Sequence, residues 1–249
     1  GRKVGVVVKG CDSRGVVELL QENLINREDV VIFGMGCNGT VDIGRVLARL
    51  GDVSNIESVK GVAATLKVRA DGKDYEFPMQ EIAQDKCRAC TVPNAVIHDH
   101  FAGMPTKIPD EARPELPAIM SFLDGLSLEE RMGFWRGHIE RCIRCYACRN
   151  ACPMCVCRDN CVADSREPHW LTQEDSPTQK MFFQLIHAMH LAGRCTGCGE
   201  CNRACPMGIP VGALKMQIGR VVQKLFEYAP GMDETAVRVR VLMAMEGVK

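Results

Sequence analysis

The sequence predicts an α/β domain with a short parallel sheet, followed by a mostly helical domain organised by two cysteine-rich loops. Three observations predict it. Short β-branched apolar runs at Val4–Val8 and residues 30–33 are each followed by apolar residues at helical spacing, the β-α-β-α order of parallel sheets with right-handed crossovers. Cys142, Cys145, Cys148 and Cys152 stand at the spacing C-x2-C-x2-C-x3-C, directly before Pro153. Cys195, Cys198, Cys201 and Cys205 repeat that spacing, directly before Pro206. The expected organisation is an α/β domain over residues 1–104, a linker over 105–126 and the cysteine-loop domain over 127–249.

Composition excludes several classes. The 31 basic and 31 acidic residues cancel, so neither nucleic acid nor a membrane surface is expected as a partner. No apolar run approaches the roughly 20 residues that span a bilayer. Fifteen cysteines, most at metal-ligand spacing, predict a reducing, cytoplasmic compartment rather than a disulfide scaffold. Gly1-Arg2-Lys3 opens directly before a strand without an initiator Met, so a preceding N-terminal segment is expected.

Val4–Val8 reads as a strand buried on both faces. Residues 9–15 read as a loop, and Val16, Val17, Leu19, Leu20, Leu24 and Ile25 as a helix capped by Asp12 or Ser13. Residues 30–33 form a second buried strand, ending in Gly34-Met35-Gly36-Cys37-Asn38-Gly39, and a helix over 41–50 stops at Gly51. Cys11 and Cys37 therefore lie past the carboxyl ends of strands that can be neighbours, where open α/β sheets place ligands. Gly34, Gly36 and Gly39 match the dinucleotide spacing, but Cys37 fills the turn and no acidic strand end follows, so dinucleotide binding is not expected there. Residues 64–69 alternate and turn at Asp71-Gly72, as a hairpin does. Cys87 and Cys90 form a further C-x2-C unit; with Cys11 and Cys37 they supply the four thiolates of a cubane, or of a zinc site.

Two complete copies of the C-x2-C-x2-C-x3-C-P run predict a dicluster ferredoxin-like domain with two 4Fe-4S clusters. Crossed ligation is expected: Cys142, Cys145 and Cys148 with Cys205, and Cys195, Cys198 and Cys201 with Cys152. The set at Cys11, Cys37, Cys87 and Cys90 predicts a third 4Fe-4S cluster. Cys155, Cys157 and Cys161 are surplus to these; they either hold a fourth cluster with a non-cysteine ligand, replace an expected ligand, or pack beside the cofactors. Ser127 and Glu130 form a capping box for a helix to about residue 140, on which Phe134 and Trp135 are packing residues. Ser176-Pro177 opens another helix, with Gly193 as its stop; His187 and His190, three apart on it, read as solvated or packed, and as a metal pair only with a third ligand. A last amphipathic helix covers residues 211–228, and the Met-rich residues 241–245 are expected to pack in a core.

Residues 8–14 (Val-Lys-Gly-Cys-Asp-Ser-Arg), 34–37 (Gly-Met-Gly-Cys) and 86–90 (Lys-Cys-Arg-Ala-Cys) together resemble the beta subunits of deazaflavin-reducing (coenzyme F-420) hydrogenases and dehydrogenases. The resemblance covers about residues 1–104 and implies a 4Fe-4S cluster beside a flavin and electron transfer to a deazaflavin. Here the ferredoxin unit follows that region, a layout similar to iron–sulfur subunits of heterodisulfide-reductase-type and formate-dehydrogenase complexes of anaerobes. No nucleophile elbow, H-E-x-x-H or P-loop is present in the sequence. The expected function is an electron-transfer subunit of a cytosolic anaerobic oxidoreductase complex, linking a flavin-containing partner to a second redox subunit. The alternative is a flavin-dependent deazaflavin oxidoreductase subunit with its own catalytic site.

Overall fold

The computed structural model describes residues 2–62, 64–107, 117–157, 161–163, 166 and 169–236. Strand β1 (Val4–Val8) leads into helix α1 (Gly10–Gln21), then β2 (Val30–Met35) and α2 (Ile43–Leu50). An antiparallel sheet follows, β3 (Ile56–Val62), β4 (Thr65–Ala70) and β5 (Lys73–Pro78), then the short helices α3 (Met79–Ile82) and α4 (Asp85–Arg88) and strand β6 (His100–Ala102). The remainder is helical: α5 (Ala118–Asp124), α6 (Leu128–Glu140), α7 (Ala147–Asn150), α8 (Pro177–His190), α9 (Glu200–Arg203) and α10 (Val211–Phe226).

β1 and β2 are parallel neighbours, as expected, and β6 adds a third parallel strand on the far side of β2. The expectation that both faces of these strands are buried fails. Val8 and Ile32 are buried against Ala95 and Val16, but Val4 is 58 % and Val7 69 % exposed. α1 covers one face only, and α2 does not cover the other. It packs Val46 and Leu50 onto Leu66, Val68 and Phe77 of the antiparallel sheet instead. The hairpin forms with Asp71 and Gly72 both left-handed, the geometry a two-residue type I′ turn requires.

The expected loop at 9–15 is also corrected: α1 begins at Gly10, one residue before Cys11. Asp12 accepts from the Lys9 backbone N–H at the helix start, and buried Ser13 donates to Gly10 O at 2.8 Å. Gly10 lets Val92 approach: an added Cβ would meet the Val92 carbonyl oxygen at 1.8 Å. Within the expected linker, α5 is a helix whose Met120 and Leu123 pack with Trp135, Ile139 and Ala213. Apolar side chains at i and i+3 were enough to dock it despite the neighbouring prolines. Residues 241–245 lie outside the described residues. No helix among the described residues is long and apolar enough to cross a membrane.

The two halves are joined by buried polar contacts. Arg194, before the second cysteine loop, makes a bidentate pair with Glu22 past the end of α1, with Nη2 2.7 Å from Oε2 and both side chains 4 % exposed. The chain beyond α10 folds back over α1. Arg14 donates to Pro230 O at 2.8 and 3.1 Å, and the Tyr228 hydroxyl lies 3.1 Å from Glu18 Oε1. Burial raises the Glu18 carboxyl from 4.5 to about 7. The folded protein thus holds this proton more tightly than the unfolded chain. The stability it contributes is full below pH 4.5 and is lost as pH rises towards about 7, at no more than about 1.4 kcal/mol per pH unit. Glu18→Gln should flatten the stability profile over that window in chemical denaturation; an unchanged slope would show that another group carries it.

Candidate iron–sulfur centres

The two cysteine loops have the same backbone. Arg144 and Tyr146, the second and fourth residues after Cys142, are left-handed with φ of 51° and 57°. Gly197 and Gly199, the second and fourth after Cys195, match them at 70° and 71°. These positions turn the chain between the cysteines, burying Cys142 and Cys148 in the first loop and Cys201 in the second, and the fifth residue begins α7 in one copy and α9 in the other. Glycine adopts this conformation freely, whereas Arg144 and Tyr146 are held in it. Arg144 donates to Thr172 O and Glu174 O, and Tyr146 packs edge-on to Phe183.

Peptide N–H groups point at sulfur, as anionic clusters require. Arg144 N–H donates to Cys142 Sγ and Ile209 N–H to Cys205 Sγ, both at 3.4 Å. Cys142, Cys148 and Cys201 are buried in one core and Cys205 packs against it, so cysteines of both loops share that core. Cys152, the last of the first loop, lines a cavity with Cys195, Cys198 and Cys201. Burial pushes the Cys195 thiol up to about 12 and Cys148 up to about 11, so these sulfurs become thiolates through metal ligation rather than alone. Cys152 goes the other way, held below the usual thiol range because the Cys155 thiol donates to it.

The same cavity, about 730 Å³, is lined on its other side by Cys11, Cys37, Cys87 and Cys90. Cys11 sits in the first turn of α1, Cys37 just past β2, Cys87 on α4 and Cys90 two residues after it. Cys11 and Cys37 follow the carboxyl ends of β1 and β2, and all four cysteines line the cavity. Gly39 N–H donates to Cys37 Sγ at 3.4 Å and Thr40 N–H to Cys87 Sγ at 3.3 Å. Burial raises the Cys11 thiol to about 11. Lys86, adjoining Cys87, spans the two halves: its Nζ donates to Cys198 O at 2.6 Å and to Glu200 Oε1 at 2.7 Å.

Two of the surplus cysteines, Cys157 and Cys161, belong to one core, and Cys155 contacts a histidine. Cys155 Sγ lies 3.2 Å from His187 Nε2, Cys161 is buried in the core around Cys142, and Cys157 packs at that core's edge. His187 stacks on Phe183, the packed environment expected of it, but its contacts with Cys155 and Lys215 were not legible in the sequence. Lys215 is the residue that sequence reasoning missed. It lies among apolar positions of an amphipathic helix, and only its burial among cysteines marks it. The glycine loop at 34–39 is covered by the chain's own residues. An added Cβ would lie 2.8 Å from His98 Cβ at Gly34 and 2.7 Å from Thr106 Oγ1 at Gly36.

Residues 138–209 match the family described as 4Fe-4S dicluster domain. Over 94 % of its length the chain is 24 % identical to the F420-dependent formate dehydrogenase subunit beta of Methanocaldococcus jannaschii, covering 75 % of that protein. It is 26 % identical, again over 94 % of its length, to the F420-dependent formate dehydrogenase 1 subunit beta of Methanococcus maripaludis, covering 74 % of it. This chain is an iron–sulfur electron-transfer subunit of an oxidoreductase complex. The iron–sulfur subunit carries two 4Fe-4S clusters in its dicluster domain, and the similarity to the beta subunits extends across its α/β half as well. In the subunit's own geometry, paired loops with inward sulfurs, N–H donors and buried walls suit one-electron carriers.

Proposed function

We propose that the subunit is a three-cluster relay between a flavin-containing partner and a second redox subunit. Cys142, Cys145, Cys148 and Cys205 hold one cubane, and Cys195, Cys198, Cys201 and Cys152 the second. Cys11, Cys37, Cys87 and Cys90 hold a third, at the sheet edge. The observation that carries this reading is the cavity shared by the sheet-edge cysteines and those of the second loop. It makes the second cubane the middle of the line, joined to the third site through Lys86. Cys90 and Cys145, one in each outer ligand set, are the exposed cysteines, which suits electron entry and exit at those two sites. A mononuclear zinc site on the same four thiolates is the second reading, and zinc in place of iron at the sheet edge would support it.

The domain division follows from the same reading, an α/β unit over 1–104 and a dicluster unit over 127–249. The curated relatives are named for formate dehydrogenase and F420, so formate-oxidising and deazaflavin-reducing subunits are the partners to seek in this hetero-oligomer. Flavin is assigned to a partner because residues 94–106 pack over the glycine loop. The surplus cysteines are assigned to packing around the clusters, not to a fourth cluster.

Metal analysis of the anaerobically purified chain tests this. Three cubanes correspond to about 12 irons and 12 acid-labile sulfides per chain, with no flavin absorption. About eight of each would remove the sheet-edge cluster, about sixteen would bring in Cys155, Cys157 and Cys161, and a bound yellow flavin would favour a catalytic subunit in its own right.

A further inference from the structure

Lys215, on α10, is a buried cation, 2 % exposed, in the wall of the cavity that holds Cys152, Cys195, Cys198 and Cys201. Among the described residues no carboxylate pairs with it. Its side-chain neighbour is His187 Nε2 at 3.4 Å, and burial together with the Lys215 charge keeps that imidazole neutral. A lysine buried in this way is costly unless it faces negative charge. The negative charge here comes from sulfur. Cys152, Cys195 and Cys201 line the same cavity as Lys215, and their thiolates carry that charge once they ligate iron. The Lys215 field also reaches Cys148 of the first loop, where it acts against burial.

We propose that Lys215 is a fixed positive charge that raises the reduction potential of the middle cubane. The inference rests on the ligand assignment above. Reduction adds one electron, and so one negative charge, to a cluster already anionic through its thiolates. A cation in the protein interior, where screening by salt is weak, favours the more negative state over the less negative one. An aliphatic side chain of similar length would fill the same space without that preference, so charge and packing are separable. The first cubane, felt through Cys148, should respond in the same direction but less.

The test is an anaerobic redox titration of the full chain followed by electron paramagnetic resonance, comparing the native protein with Lys215→Met and Lys215→Arg. At the native midpoint, Lys215→Met should lower the reduced-to-oxidised ratio of one dicluster centre at least tenfold, about 59 mV for one electron, with full iron retained. Lys215→Arg should stay close to the native ratio. Unmoved midpoints in an iron-replete Lys215→Met protein would overturn the proposal. If Lys215→Met loses iron, Lys215→Arg decides: native iron and native midpoints support the charge, whereas lost iron or an equally lowered midpoint assigns the residue to shape and overturns it. Failure of the ligand assignment is read separately, as a native protein lacking one of the two dicluster signals.

Discussion

Cys87→Ser should remove one cluster and loosen the α/β half while sparing the dicluster domain. Cys87 is tied to its surroundings through sulfur, accepting from Thr40 N–H at 3.3 Å. Its proposed co-ligands Cys11 and Cys37 lie 76 and 50 residues away in sequence, so a cluster would join α1, the end of β2 and α4. Metal binding is then part of that region's folding energy. The eight dicluster cysteines lie beyond residue 141, and Cys142, Cys148, Cys201 and Cys205 belong to a core that contains no residue of the α/β half. The expected result is loss of about four irons per chain, with the dicluster resonance signals intact and new protease cleavage within residues 1–100. A Cys87→Ser protein that keeps all its iron and its protease resistance would place the third site elsewhere.

Arg194→Met is expected to have the largest effect of any single change away from the clusters. It leaves Glu22 buried at 4 % exposure without its bidentate partner, which costs about 3–5 kcal/mol where one member of a buried pair is removed. The pair joins α1 to the approach of the second cysteine loop, so the loss should also show as easier separation of the halves. Removing both charges in Arg194→Met with Glu22→Leu should recover much of the loss, because no uncompensated charge remains. Denaturant unfolding of the holoprotein measures both variants. A cost below about 1 kcal/mol for Arg194→Met would mean that water reaches Glu22 and the pair behaves as a surface one.

Local chemistry decided what could be read directly. The cysteine spacings predicted two cubane loops because the ligands of each run are near neighbours in the chain, and the loops prove to share one backbone path. Ser127 with Glu130, Ser176 with Pro177, and Asp71-Gly72 set two helix starts and a turn through bonds made within a few residues. The β1–β2 pairing followed from their parallel order with a helix between. Other features depended on which surfaces meet. The choice of α2 to cover the antiparallel sheet left Val4 and Val7 exposed, although their sequence looks like that of a strand buried on both faces. β6 is three residues long and is defined by its partner β2 rather than by any run of its own. The cavity shared by Cys11, Cys37, Cys87, Cys90 and Cys198, the Lys86 bridge, the Arg194–Glu22 pair and the burial of Lys215 all depend on residues far apart in sequence. A charged side chain reads as solvent-facing until the fold supplies the negative charge it is buried against. The sequence by itself therefore determined that this protein carries clusters; only the tertiary structure decided that the sheet-edge cysteines, those of the second loop and a buried cation share one cavity.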